Sequence, residues 1–412
     1  MSHYEDEIQV TIEKMRRRIM AEIDYSKAIT DGEIYRLIDE EILFSNDPMV
    51  KYMPTDSRIA VRQALFNSLR RLDVLQPLIE DPAVTEIMVN GPYDIFYERA
   101  GVICPLDESF SSKEKLADII QQIVGESNRV VNTTNPIVDC RLSNGDRVNV
   151  VLPPVAVNGP ILTIRRFPAK PISMQDLIDF GSISEEVASF LGSCVRAKLN
   201  IFISGGTGSG KTTFLNTLSE YIGATERVIT IEDNAELQIR GVPNLVRLEA
   251  RNANVEGCNP IGIRDLIKTS LRMRPDRIIV GEVRGPEAID MVQALNTGHD
   301  GSMSTGHANS GYDGLSRLET LILMGMELPI QAVRGQLASG LDLIVHLSRL
   351  RDKSRKLMEV SEVVGMRDGQ ILLSTLYRFR ETGEKHGKIE GVWEKENEIT
   401  NRVKFEMAGV SI

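Results

Sequence analysis

One run restricts this chain more than any other. Gly205-Gly206-Thr207-Gly208-Ser209-Gly210-Lys211-Thr212 matches G-x-x-x-x-G-K-[ST] in full. The apolar stretch Asn200-Ile201-Phe202-Ile203-Ser204 leads in, and a helical pattern beginning at Lys211 leads out. Strand, glycine-rich loop and helix in that order make a cradle of backbone N–H groups for a polyphosphate, completed by the positive end of the helix. Gly206, Thr207, Gly208, Ser209, Gly210, Lys211, Thr212 and Thr213 are the expected nucleotide contacts. Lys211 brings a point charge to the β/γ-phosphates, and Thr212 a hydroxyl to Mg²⁺. The cofactors expected from this run are ATP and Mg²⁺.

Hydrolysis at such a loop also needs carboxylates on neighbouring strands. Val228-Ile229-Thr230-Ile231 runs into Glu232-Asp233, and Ile278-Ile279-Val280 runs into Gly281-Glu282. The second resembles a Walker B strand, with glycine where aspartate is usual and the glutamate one position later. Glu232 and Glu282 are both candidates for metal and water, and the residues alone do not rank them. Thr297-Gly298-His299-Asp300-Gly301-Ser302-Met303-Ser304-Thr305-Gly306-His307 reads as a Gly/Ser/Thr-rich turn. Its histidines either sense a γ-phosphate or are ordinary polar residues. Arg141, Arg147, Arg165 and Arg166 lie far upstream; guanidinium forks match phosphate geometry, and ordinary surface arginines fit as well.

The 412 residues suit two or three domains. The first 75 or so read as helices: Ile8, Ile12, Met15, Ile19 and Ile23 recur at helical spacing, followed by helices from Asp31 to Phe44 and from Ser57 to Leu75. Residues 76–167 read as a small α+β domain of short strands, turns and one helix over Leu116–Val124. Phe167-Pro168-Ala169-Lys170-Pro171 is the linker signal, extended to residue 180. Residues 181–412 alternate strand and helix, which indicates a mostly parallel α/β sheet. Lys+Arg total 48 against Asp+Glu 58, a net charge of −10 that repels a phosphate backbone on average, so no nucleic-acid partner is expected. No apolar run reaches the length of a membrane span, and the polar N-terminus lacks a secretory signal, so a cytoplasmic location is expected. Cys104, Cys140, Cys194 and Cys258 are scattered and form neither a zinc site nor a disulfide framework.

The order of motifs resembles the type II/type IV secretion ATPases. It consists of the phosphate loop, Thr230-Ile231-Glu232-Asp233, the run Leu271 to Gly285, Thr297-Gly298-His299-Asp300-Gly301 and Thr305-Gly306-His307-Ala308-Asn309. The tight-adherence pilus assembly branch (CpaF-type) is the most similar. The resemblance implies a RecA-like ATPase domain behind an N-terminal domain, nucleotide between them, and a homo-hexamer. It implies hydrolysis that drives pilin movement through an inner-membrane platform protein, at the cytoplasmic face of the membrane. It assigns Glu232 to the Asp box, Glu282 to the Walker B position, His299 and His307 to the His box, and Arg147 and Arg165 to arginines that reach phosphates. The absence of a four-cysteine module and the helical first 75 residues favour the tight-adherence branch. Residues 385–412 match nothing in the family. Two other classes stay open: a nucleic-acid motor on the same core, which needs a basic aromatic channel although aromatics are 5%, and a non-catalytic nucleotide-binding scaffold.

Overall fold

The computed structural model describes residues 2–23, 27, 29–99, 101–127, 129–167, 171–251 and 259–412, with side chains from residue 10 onward. The chain divides into two compact units, Met1–Lys170 and Pro171–Ile412. Cys258 and residues 168–170 of the expected linker lie outside the described residues.

The first unit opens with α1 (Ser2–Glu22), α2 (Asp31–Phe44), α3 (Pro48–Lys51) and α4 (Thr55–Arg70). Thr30 caps α2 with a reciprocal Glu33 contact, which fixes the start that the sequence predicts. Met15, Ile19, Ile34, Ile38, Val61, Leu65 and Phe66 close a small core among these helices. Pro48, expected only to interrupt, is the first residue of α3, where a missing N–H costs nothing. After a 3-10 turn at Asp73–Leu75 come α5 (Gln76–Glu80), β1 (Val84–Asn90), β2 (Ile95–Arg99), β3 (Val102–Pro105), α6 (Lys113–Glu126), β4 (Ile137–Arg141), β5 (Arg147–Val151) and β6 (Ile161–Arg165). The strands form one antiparallel sheet in the order β3-β2-β1-β6-β5-β4. Leu116, Ile119, Ile120 and Ile123 of α6 pack on its buried face. Strands β3 and β4 escape the sequence reading because neither alternates over enough residues.

The second unit holds α7 (Met174–Asp179), α8 (Glu185–Arg196), β7 (Ile201–Gly205), α9 (Lys211–Ser219), β8 (Arg227–Glu232), β9 (Asn244–Glu249), α10 (Ile263–Ser270), β10 (Arg277–Val280), α11 (Ala288–Leu295), β11 (Met303–His307), α12 (Gly311–Gly325), α13 (Ile330–Gly340), β12 (Leu343–Arg349), β13 (Arg355–Arg367), β14 (Gln370–Lys385), β15 (Lys388–Lys395) and α14 (Val403–Ala408). Its nine strands run in the order β15-β14-β13-β12-β7-β11-β10-β8-β9. The six from β12 to β9 pair in parallel, and β13, β14 and β15 continue antiparallel. Side chains alternate across β7: Ile201 and Ile203 join a core with α7, α8, α9 and α14, while Phe202 joins one with α10 to α13. The sheet is therefore sandwiched between two helical layers.

Two expectations differ from what the fold shows. Residues 174–179, read as linker, form α7 behind a Ser173–Asp176 capping box and bury Met174 and Leu177. The run 297–307, read as a turn, contains the central strand β11; its Met-Ser-Thr-Gly-His composition hides a strand whose hydroxyls are satisfied internally, Thr305 Oγ1 donating to the Gly281 carbonyl at 2.7 Å. Residues 385–412 complete the fold. Glu362, buried in β13, accepts from Thr400 N at 2.9 Å and Asn401 N at 2.8 Å, and Phe405 fills the first core. Phe405→Ala should lower the stability of this unit by about 3 kcal/mol through lost burial and the cavity left behind. The single tryptophan, Trp393, reports that unit in a urea titration; an unshifted midpoint would show that α14 is an ornament on the core.

Candidate active site

Parallel strands bring their C-terminal ends to one edge, and the loop after β7 opens there. Gly208 and Gly210 hold φ of +70° and +93°, conformations that a side chain would strain, so the loop can turn back and feed α9. Lys211 begins α9 and is 8% exposed. Its Nζ donates to the carbonyls of Gly205 at 3.1 Å and Gly206 at 3.0 Å. Thr212 and Thr213 follow on the first turn, half-buried.

The register of β11 against β7 pairs His307 with Gly205. That pairing sets the ring beside Lys211, with Nζ 3.5 Å from His307 Nδ1. On the other side His307 Nε2 lies 2.7 Å from Glu282 Oε1. Arg284 Nε donates to Glu282 Oε2 at 2.7 Å. Lysine, histidine, glutamate and arginine thus form one continuous chain at the mouth of the loop. Burial pushes Lys211 below its ordinary pKa, against the pull of Glu282. Burial also lowers His307; Glu282 opposes this, and Lys211 and Arg284 act with burial. Burial thus favours the neutral ring, which can accept from Lys211 at Nδ1 while Nε2 stays in close contact with Glu282.

Glu232, 3% exposed, ends the neighbouring strand β8. Its Oε2 accepts from the N–H groups of Glu236 at 2.6 Å and Leu237 at 2.8 Å, while Oε1 is buried without a hydrogen-bond partner. Burial raises its pKa to about 7, and the two backbone N–H groups and Arg247 oppose that rise. A Cβ added at Gly281 would sit 2.8 Å from Glu232 Cγ. An aspartate at position 281 would therefore crowd the Glu232 side chain. Thr212, Glu232 and Glu282 offer one hydroxyl and two carboxylates at the strand ends, and the orphaned Glu232 oxygen fits a cation or one of its waters. Among the described residues no three His, Cys, Asp or Glu side chains gather as a metal cage, as suits an ion such as Mg²⁺ held largely by phosphate and water.

The structure does not bring every expected residue to this edge. His299 precedes the N-terminal end of β11, so it lies at the opposite end of that strand from Lys211. Its Nδ1 is 3.3 Å from the Ala294 carbonyl, and its own carbonyl accepts from Ser302 Oγ at 2.7 Å. In the first unit, Arg141, Arg147, Arg165 and Glu86 are successive cross-strand partners over β4, β5, β6 and β1. Asp139 lies 3.9 Å from Arg147. Among the described residues the exposed Arg165 side chain has no hydrogen bond or ion pair, and like charges placed opposite one another cost stability. Arg166 is not available to a ligand: it donates to the carbonyls of Leu78 at 3.1 Å and Val84 at 3.2 Å, to that of Asp81, and to Asp146 at 3.4 Å.

Sequence reasoning missed Arg355, whose Nε donates to the Gly208 carbonyl at 2.9 Å from the far side of the β12–β13 hairpin. The signal was present in Arg349-Leu350-Arg351-Asp352-Lys353-Ser354-Arg355-Lys356, a basic turn. Only the parallel pairing of β12 with β7 carries that turn to the loop.

Strand order, loop and strand-end carboxylates define a RecA-like P-loop nucleotide-binding domain preceded by an N-terminal domain. A family model described as "Type II/IV secretion system protein" matches residues 69–392. Over 305 residues the chain is 34% identical to the conjugal transfer protein TrbB of Rhizobium radiobacter, a match covering 72% of this chain and 88% of that one. It is 29% identical over 322 residues to the type IV secretion system protein VirB11 of Bartonella quintana, covering 69% and 90%. The ATPase DotB of Legionella pneumophila shares the fold, with a TM-score of 0.51 at 20% identity, covering 70% of this chain and 79% of that one. The chain belongs to the type II/IV secretion system protein family.

The raised Glu232 pKa has a stability consequence. Its carboxyl binds a proton more tightly folded than unfolded, so its contribution is full below the ordinary 4.5 and is lost as pH rises through about 7. Without nucleotide, the stability of the wild type relative to Glu232→Gln should fall by about 3 kcal/mol across that window. Urea titrations at several pH values measure it, and a flat difference would show that Glu232 titrates normally.

Proposed function

We propose that this chain is a Mg²⁺-dependent ATPase that powers assembly of a surface filament, or protein secretion, as a homo-hexamer at the cytoplasmic face of an inner-membrane platform. The observation that carries this is the continuous Lys211–His307–Glu282 contact at the mouth of a complete phosphate loop. Lys211 leaves the loop carbonyls for the β- and γ-phosphates and neutralises them. Glu282 orients the attacking water and accepts its proton as the bond from γ-phosphorus to the bridging oxygen breaks, giving ADP and phosphate. His307 keeps Glu282 and Lys211 at fixed spacing. Thr212, Glu232 and Glu282 would hold Mg²⁺, which would supply further neutralisation of the phosphate oxygens. Arg147 and Arg165 stabilise the transition state from the first unit of the same or a neighbouring chain. His299 is left out of this set because it lies at the wrong end of β11.

The helical extension, which precedes the family match, and the lack of a four-cysteine module support the tight-adherence branch. A second reading, service to a conjugal transfer apparatus, is favoured by the 34% identity to a conjugal transfer protein. Pilins co-isolated with the chain from its own membranes support the first reading, and a relaxase–DNA complex in their place supports the second.

Hydrolysis measured on purified hexamer tests the activity. Lys211→Ala should abolish turnover and weaken nucleotide binding; turnover at the wild-type rate in that variant overturns the reading. Glu282→Gln should retain ATP and lose turnover, and a larger loss from Glu232→Gln would move the water-activating role to β8. Arg165→Ala should lower turnover by about 10- to 1,000-fold with much less effect on binding. Mixing Arg165→Ala chains with Glu282→Gln chains reads where the arginine acts: activity regained in mixed rings indicates action across a subunit interface.

A further inference from the structure

A row of polar side chains crosses the sheet beside the loop, and the reaction described above does not use it. Ser204 on β7, His346 on β12, Glu359 on β13 and Arg378 on β14 are successive register partners. Ser204 is fully buried, and His346 is 8% exposed. Ser204 Oγ lies 2.9 Å from His346 Nδ1, and Arg378 Nη1 is 3.2 Å from Glu359 Oε2. A hydroxyl and an imidazole between two helical layers are costly unless both are satisfied, so the pair has a geometry to hold.

The position of the pair says which geometry. Ser204 immediately precedes Gly205, where the phosphate loop starts. We infer that His346 is a positioning residue: its contact with Ser204 anchors the end of β7 from which the phosphate loop starts, and so keeps the Lys211–His307–Glu282 contact at working distance. The groups facing the ring are Ser204 from β7, Glu359 from β13, Asp313 and the Asn309 backbone from the start of α12, and Lys211 from α9. Burial holds the ring below its ordinary pKa; Glu359, Asp313 and Asn309 oppose this, and Lys211 adds to it. A neutral ring accepts from the Ser204 hydroxyl at Nδ1, which links β12 to the strand end that opens into the loop.

The inference rests on the ATPase reading for its rate arm only. His346→Phe keeps the volume and removes the hydrogen bond to Ser204; His346→Gln keeps an acceptor for it. In His346→Phe, kcat for ATP should fall about tenfold with KM changed much less, because the reacting groups are displaced while the loop still binds. His346→Gln should restore most of the rate. Ser204→Ala should lower the rate as well, and combining it with His346→Phe should add little. Hydrogen exchange in nucleotide-free protein gives a second arm independent of hydrolysis: His346→Phe should speed exchange in the peptide covering 204–210 and leave the β8 peptide unchanged. Unchanged exchange in the 204–210 peptide overturns the inference. So does a wild-type kcat in His346→Phe, or a His346→Gln chain as slow as the Phe variant. If the wild type hydrolyses no ATP, or does so equally without Lys211, the ATPase reading has failed and the exchange arm alone decides for or against the histidine tie.

Discussion

The in-register parallel pairing of β7 with β11 on one side and β12 on the other is the constraint on which the rest of the second unit depends. It sets Gly205 opposite His307 and Leu347, and every other feature of the loop follows from that placement. A shift of one residue in the β7–β11 pairing would turn the side chain of His307 to the other face of the sheet. The Lys211–His307 contact exists because two short strands of unremarkable sequence, far apart in the chain, stop level with each other. Buried strand residues on both faces, Ile201 and Ile203 towards one helical layer and Phe202 towards the other, hold that register.

Much of this was legible in the sequence. The phosphate loop specifies its own surroundings, because a run of glycines between an apolar strand and a helix has few other uses. Helix α2 has the bounds expected from the sequence, Asp31 to Phe44. Lys211 and Glu232 stand where the motif order puts them, at the start of α9 and the end of β8, and Glu282 follows β10. Strand β11 was not legible: Ser304, Thr305 and Gly306 carry the marks of a turn, and only pairing on both sides makes them a strand. His299 and His307 look equivalent in sequence, eight residues apart, and the strand between them sends them to opposite edges of the sheet. Arg355 was missed for a related reason. Its nearness to Gly208 is a long-range consequence of strand order, and no local pattern encodes it.

The charges at the loop are arranged to be cheap only as a set. Lys211 and His307 are both pushed towards their neutral forms by burial, and Glu282 pulls both the other way. Glu282 is in turn shared with Arg284, which is exposed and more freely hydrated. Partial burial of such a chain makes each member sensitive to a change in its neighbour's charge, as is useful where a polyanion must arrive, react and leave.

Gly281 and Glu232 share one volume contributed by two adjacent strands, since a Cβ at 281 would meet Glu232 Cγ at 2.8 Å. A side chain at 281 requires the Glu232 side chain to shift, and shortening 232 alone leaves an under-filled space at the end of β8. The two positions are thus energetically one site, and the effects of substitutions there do not add.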